Sequence, residues 1–261
     1  MKTKLFILSI CLFSFLGTSM AQCKKNPAPD QIKGSSKPFY QLEEMSDEEF
    51  DNLLKRAKKG EADAQTSVGF HYERGVNVPQ NFSEAMKWYE KAAAQNDDYA
   101  INNIGYLYEK GYGVAQDSRK AVEYYTKAAE MGNSVAQNNL GCMYLKGEGV
   151  AQDYTKGNEW NMKAALQGEP KAAYQVGLSY YAGWGYEQNM TKAIEWWEKA
   201  TELGAPQAAY NLAICFLTGE AGTVDNYKGM KYLKIAADLG SESAMELLEG
   251  LENGDVEVSY Q

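Results

Sequence analysis

Small and apolar residues return along this chain at one fixed interval. Ala64, Ala100, Ala136, Ala172, Ala208 and Ala244 stand 36 residues apart in an unbroken column. Gly69, Gly105, Gly141 and Gly177 form a second column, which ends in Ala213. Tyr72, Tyr108, Tyr144, Tyr180 and Phe216 form a third, each followed three residues later by Gly75, Gly111, Gly147, Gly183 or Gly219. The second half of each unit repeats equally well, with Trp88, Tyr124, Trp160, Trp196 and Tyr232 in one column and Ala92, Ala128, Ala164, Ala200 and Ala236 in another. Such a period marks stacked supersecondary units. The spacing inside each unit is helical: Ala136, Leu140 and Tyr144 stand four apart, as do Trp160 and Ala164, so each unit offers two apolar stripes on two helices.

Polar punctuation divides the units in the same way. Asn81, Asp117, Asp153, Asn189 and Asp225 precede the second helix of each, where a short polar side chain accepts from the free amides of a first turn. Gly60, Gly132, Gly168, Gly204 and Gly240, with Asn96 substituting once, close the preceding helices, and Pro170 and Pro206 suit the first turn of the next. The capping role accounts for Asn81 and Asn189 in all five units, so the glycosylation sequons that they also match are discounted. Ser46-Asp-Glu-Glu49 reads as a capping box that opens an N-terminal capping helix, 46–60. The units are then 61–96, 97–132, 133–168, 169–204 and 205–240, closed by a capping helix at 241–251 and an acidic tail at 252–261. Roughly 12 helices in a one-dimensional stack follow.

The N-terminus departs from this pattern. Lys2 and Lys4 precede an apolar run from Leu5 to Leu16 and then Ser19-Met20-Ala21, which reads as a secretory signal peptide over 1–21. The run is too short to span a bilayer. A lipid anchor on Cys23 is the competing reading, but Gln22 occupies the place where lipoprotein precursors carry a small residue. Residues 22–45 mix Pro, Lys, Ser and Gly without apolar periodicity, as a flexible linker does. The expected location is therefore outside the cytoplasm, periplasmic or secreted. The formal charge of -9 disfavours nucleic acid as a partner. Cys23, Cys142 and Cys215 remain after cleavage, an odd number from which no disulfide framework can be read.

The pattern A-x-x-x-[LIV]-G-x-x-Y-x-x-G-x-G-V-x-x-[DN]-x-x-K-A, followed by an aromatic, K-A-A and G, closely resembles the Sel1-like repeat, a relative of the tetratricopeptide repeat. The resemblance implies an all-α fold, a right-handed α/α superhelix whose first helices line a concave face, and a role as adaptor or scaffold. It names no partner. Cysteine-rich secreted members of the family carry paired cysteines in each repeat and are associated with penicillin binding or β-lactam hydrolysis. This chain lacks those pairs, and Cys142 and Cys215 sit two units apart, too far to bridge.

Candidate chemistry is thin. A dinucleotide loop needs G-x-G-x-x-G after a strand, but Gln116, Gln152 and Gln188 replace the third glycine and the preceding segments are helical. His71 is the only histidine, so a multi-histidine metal site is excluded, and no Ser-x-x-Lys occurs. We therefore expect no cofactor and no catalytic residues. What remains is a surface. By analogy with tetratricopeptide geometry, the groove is lined by Ser67, Asn103, Asn139, Gln175 and Asn211, by Thr66, Asn102, Asn138, Tyr174 and Tyr210, and by the columns beginning at Glu73 and Arg74. Asn102, Asn103, Lys110, Asn138, Asn139, Lys146, Tyr174, Gln175, Tyr181, Tyr210, Asn211 and Leu217 are the candidate partner-binding residues. Their amides either hold an extended peptide or bond within the stack. The reading is an exported scaffold, monomeric, that binds a protein or peptide. A β-lactam or peptidoglycan hydrolase and an envelope regulatory adaptor are the alternatives.

Overall fold

A computed structural model describes residues 45–253. The expected signal peptide, nearly all of the expected linker and most of the expected acidic tail lie outside the described residues. The described part is entirely helical apart from its turns: α1 (Asp47–Lys58), α2 (Ala62–Arg74), α3 (Phe82–Ala93), α4 (Asp98–Lys110), α5 (Ser118–Glu130), α6 (Ser134–Lys146), α7 (Tyr154–Leu166), α8 (Pro170–Ala182), α9 (Met190–Glu202), α10 (Pro206–Thr218), α11 (Asn226–Asp238) and α12 (Glu242–Glu252).

These helices fall into two compact units, residues 45–164 and 165–253. In the first, α2 pairs with α3 and α4 with α5, while α1 packs on α2, α3 on α4 and α5 on α6. Each layer buries its alanine and aromatic columns, as in the cluster of Ala85, Tyr89, Ala92, Ala100, Ile104 and Leu107. In the second unit α8 pairs with α9 and α10 with α11, and α12 closes on α11 in a cluster that joins Ala209 of α10, Leu233 and Ala236 of α11 and Ala244 of α12.

The ends of the helices show why the chain turns where it does. Ser46 and Glu49 form the reciprocal capping box at the start of α1. Asn81, Asp117, Asp153, Asn189 and Asp225 each accept a first-turn amide through the side chain. Gly75, Gly111, Gly147 and Gly183 close the first helix of their repeats at φ between 71° and 73°, a left-handed conformation that glycine adopts without a Cβ clash. Asn77, at φ 60°, stands where the later repeats carry Gly113, Gly149 and Gly185. Asparagine is among the few other residues that tolerate this region.

Candidate functional site

The glycine-rich segments that resemble phosphate loops are helix connections, and their glutamines explain the missing third glycine. Gln80, Gln116, Gln152 and Gln188 donate through Nε2 to the carbonyls of Glu73, Glu109, Leu145 and Tyr181, each at 2.8 Å. These carbonyls lie in the last turn of the first helix, which has no intrahelical donors left. The next residue bonds back as well: the amides of Asn81, Asp117, Asp153, Asn189 and Asp225 donate to the carbonyls of Tyr72, Tyr108, Tyr144, Tyr180 and Phe216 at 2.8 to 2.9 Å. The backbone bond recurs in all five repeats and the glutamine bond in the first four, with Val224 at that position in the fifth.

The glycines inside the helices serve close packing. A Cβ on Gly69 or Gly105 would lie 2.7 or 2.9 Å from the ring of Tyr89 or Tyr125, and one on Gly177 would lie 2.5 Å from Trp197. Each ring therefore lies flat on bare backbone. Ala213 is tolerated at the fifth position, where the facing residue is Leu233.

One turn beyond those glycines the structure places a buried pair and a partly buried one that the sequence pattern did not single out. The Tyr89 hydroxyl donates to Glu73 Oε2 at 2.8 Å, and the Tyr125 hydroxyl donates to Glu109 Oε2 at 2.7 Å. Burial holds the Glu73 carboxyl above the usual carboxylate range, against the opposing pull of the Tyr89 hydroxyl and of Arg74 at 3.6 Å. Burial, reinforced by the facing carboxylates, pushes both tyrosines well above their ordinary range, so both remain donors. Two columns compared side by side carry the signal that finds these pairs: Glu73, Glu109, Leu145, Tyr181 and Leu217 stand 16 residues before Tyr89, Tyr125, Asn161, Trp197 and Leu233. The two change together from repeat to repeat. In repeat 4 the pair becomes a ring contact, with Tyr181 and Trp197 centroids 5.6 Å apart.

In the first unit, Asn102, Asn138 and Asn139 are buried, while Asn103, Lys110 and Lys146 are half-buried. The amides are joined within the stack: Asn139 Nδ2 donates to Asn102 Oδ1 at 3.0 Å, linking α6 to α4, and Asn102 Nδ2 donates to Asn103 Oδ1 at 3.1 Å. Asn103 also reaches the Tyr89 hydroxyl. Lys110 pairs with Glu109 and lies 5.6 Å over the Tyr106 ring, whose hydroxyl is pushed up to about 12 by burial and by nearby Glu73. In the second unit, Tyr174, Gln175, Asn211 and Leu217 are buried, while Tyr181 and Tyr210 are half-buried. Tyr181 donates to Glu220 Oε2 at 3.2 Å. The half-exposed members of the predicted set are thus Asn103, Lys110 and Lys146 in one unit and Tyr181 and Tyr210 in the other.

His71 is buried against Phe50, ring centroids 5.0 Å apart, and its Nδ1 lies 3.1 Å from the Val76 carbonyl, an arrangement that requires the proton on Nδ1. Burial lowers its pKa. Cys142 and Cys215 are buried and in no disulfide among the described residues, and burial pushes the Cys215 thiol up to about 12. Among the described residues no group of three or more His, Cys, Asp or Glu is placed to hold a metal ion, and no helix is long and apolar enough to cross a membrane.

The Sel1 repeat matches the chain five times, at residues 62–97, 98–133, 134–169, 170–204 and 206–241. Among solved structures, a Sel1 repeat protein from Oxalobacter formigenes is 27% identical with a TM-score of 0.67, covering 79% of this chain and 88% of that one. A protective antigen of uropathogenic Escherichia coli that displays an SLR fold is 29% identical with a TM-score of 0.64, over 78% of this chain and 44% of that one. A chitin synthase regulator of Saccharomyces cerevisiae is 39% identical over 67 residues, 26% of this chain and 9% of that protein. The matches with curated relatives thus span about a tenth of those proteins' length.

Proposed function

Because this chain belongs to the Sel1 repeat family, whose repeats mediate protein interactions, we propose that it is an exported, non-catalytic scaffold that holds a protein or peptide partner on the first helices of its repeats. One observation carries the reading: the residues that stay constant from repeat to repeat hold turns and helix contacts, while the half-exposed first-helix positions vary. Gln80, Gln116, Gln152 and Gln188 lock one carbonyl each. By contrast, the column of Lys110 reads Arg74, Lys110, Lys146, Ala182 and Thr218, all of them partly exposed. Uniform positions keep a solenoid together, and variable exposed positions are free to specialise.

The buried amides support the surface from beneath. Contact falls to Asn103, Lys110 and Lys146 in the first unit and to Tyr181 and Tyr210 in the second. Tyrosine is among the residues that dominate interface energetics. The test is an affinity pull-down from an envelope extract, comparing wild type with Lys110→Glu, Lys146→Glu and with Tyr181→Ala, Tyr210→Ala. Each variant must keep its helical circular dichroism. Loss of a specific partner in either variant supports the assignment. An unchanged set of partners in both removes these residues from the interface.

A further inference from the structure

We propose that repeat 3 contains an internal hydration site, in which one or two ordered water molecules are bound to the Asn161 carboxamide between α6 and α7. The chain's own repeats serve as controls. Asn161 stands where the others carry Tyr89, Tyr125, Trp197 and Leu233, and Asn158 stands where they carry Met86, Val122, Ile194 and Met230. In α7 alone, amides replace apolar and aromatic groups on that face.

Asn161 is 0% exposed, and neither Oδ1 nor Nδ2 has a hydrogen-bond partner among the described residues. A buried polar group left in that state costs about 1–3 kcal/mol, so an arrangement that satisfies both atoms is strongly favoured. The geometry shows where the amide sits. A Cβ on Gly141 would lie 2.3 Å from Asn161 Oδ1, so the amide lies on the α6 backbone where the Tyr125 ring crosses Gly105 in repeat 2. The Tyr125 ring continues from there to a hydroxyl that meets Glu109, whereas asparagine ends short of that point. Leu145, at the position of Glu109, leans instead toward Gly157, within 2.8 Å of where a Cβ there would be.

The missing phenol thus leaves its place beside two polar atoms that need partners. Asn138 lies one turn before Gly141 on the same face of α6, and its Oδ1 is also without a partner among the described residues. A water takes about 30 Å³, accepts from an amide N–H and donates to carbonyl oxygens, and it occupies polar internal sites that apolar ones exclude. The donor and acceptor of Asn161 match that chemistry. A lone charged group does not.

The test uses the full chain. Water-to-protein NOEs should reach the Asn161 side-chain amide protons, and a high-resolution crystal structure should show an ordered water within about 3 Å of Oδ1 or Nδ2. Asn161→Leu should abolish the ordered water. Asn161→Tyr combined with Leu145→Glu rebuilds the pair found in repeat 2, guards against a folding failure of the single variant, and should also lose it. Asn161 bonded directly to protein atoms with no ordered water, or a water retained in both variants, overturns the proposal. Neither result bears on partner binding.

Discussion

At the scale of single residues, the chain spends its polar side chains on closing its own core. Glu73 is the clearest case, because its carboxyl is raised by burial yet held by the Tyr89 hydroxyl. A raised folded-state value favours the protonated form, so this contribution to stability is full below the ordinary carboxylate pKa and is lost as pH rises through the folded value. Glu73→Gln keeps an acceptor for Tyr89 and removes the titration. Thermal melts of both proteins between pH 4 and 7 should therefore show the variant gaining on wild type as pH rises, and a gap that stays constant rejects the assignment. A second expectation concerns Gly177, where a Cβ would lie 2.5 Å from Trp197. Gly177→Ala should cost about 1–3 kcal/mol by overpacking, read by urea denaturation. In a Trp197→Leu background, which copies the Ala213 and Leu233 arrangement, most of that cost should vanish. The glycine column was legible in the sequence as a column of the repeat. The ring that faces it in repeats 1, 2 and 4 was not, because it comes from another helix 20 residues away.

At the scale of helices and turns, local rules account for nearly everything. The five N-caps, the capping box and the left-handed glycines all depend on contacts within a few residues, which is why a periodic sequence displays them. Asp117 accepts from the amides of Arg119 and Lys120, both at 3.1 Å, so Asp117→Ala should cost about 0.5–2 kcal/mol. Gln116→Ala, which removes the bond to the Glu109 carbonyl, should cost about 0.5–1.5 kcal/mol. Hydrogen exchange should then speed up at the end of α4 in the second variant and at the start of α5 in the first. Equal effects at both places would mean that the turn acts as one unit. The glutamines were visible in the sequence only as replacements for a glycine. Their role needed the turn's geometry, which folds the side chain back over seven residues.

At the scale of the whole molecule, five matched repeats place the chain in the Sel1 repeat family, and its place in the cell is an expectation from residues 1–21 open to direct test. Expressed with a C-terminal tag in a bacterial host, the mature chain should begin at Gln22 on N-terminal sequencing of the envelope fraction. A blocked, lipid-bearing Cys23 would favour the anchored form instead, and an uncleaved cytoplasmic chain would remove export from the reading. The candidate residues divide by burial. Asn103, Lys110, Lys146, Tyr181 and Tyr210 are partly exposed, whereas Asn102, Asn138, Asn139, Tyr174, Gln175, Asn211 and Leu217 are buried. By itself the sequence determined the number of repeats, their phase, their caps and their turns, since each rests on interactions within one 36-residue period. Only the tertiary structure decided which amides and carboxylates are withdrawn from solvent. Burial depends on how closely helices of neighbouring repeats approach, as in the Asn139 to Asn102 bond, and residue identity along one repeat carries no measure of that distance.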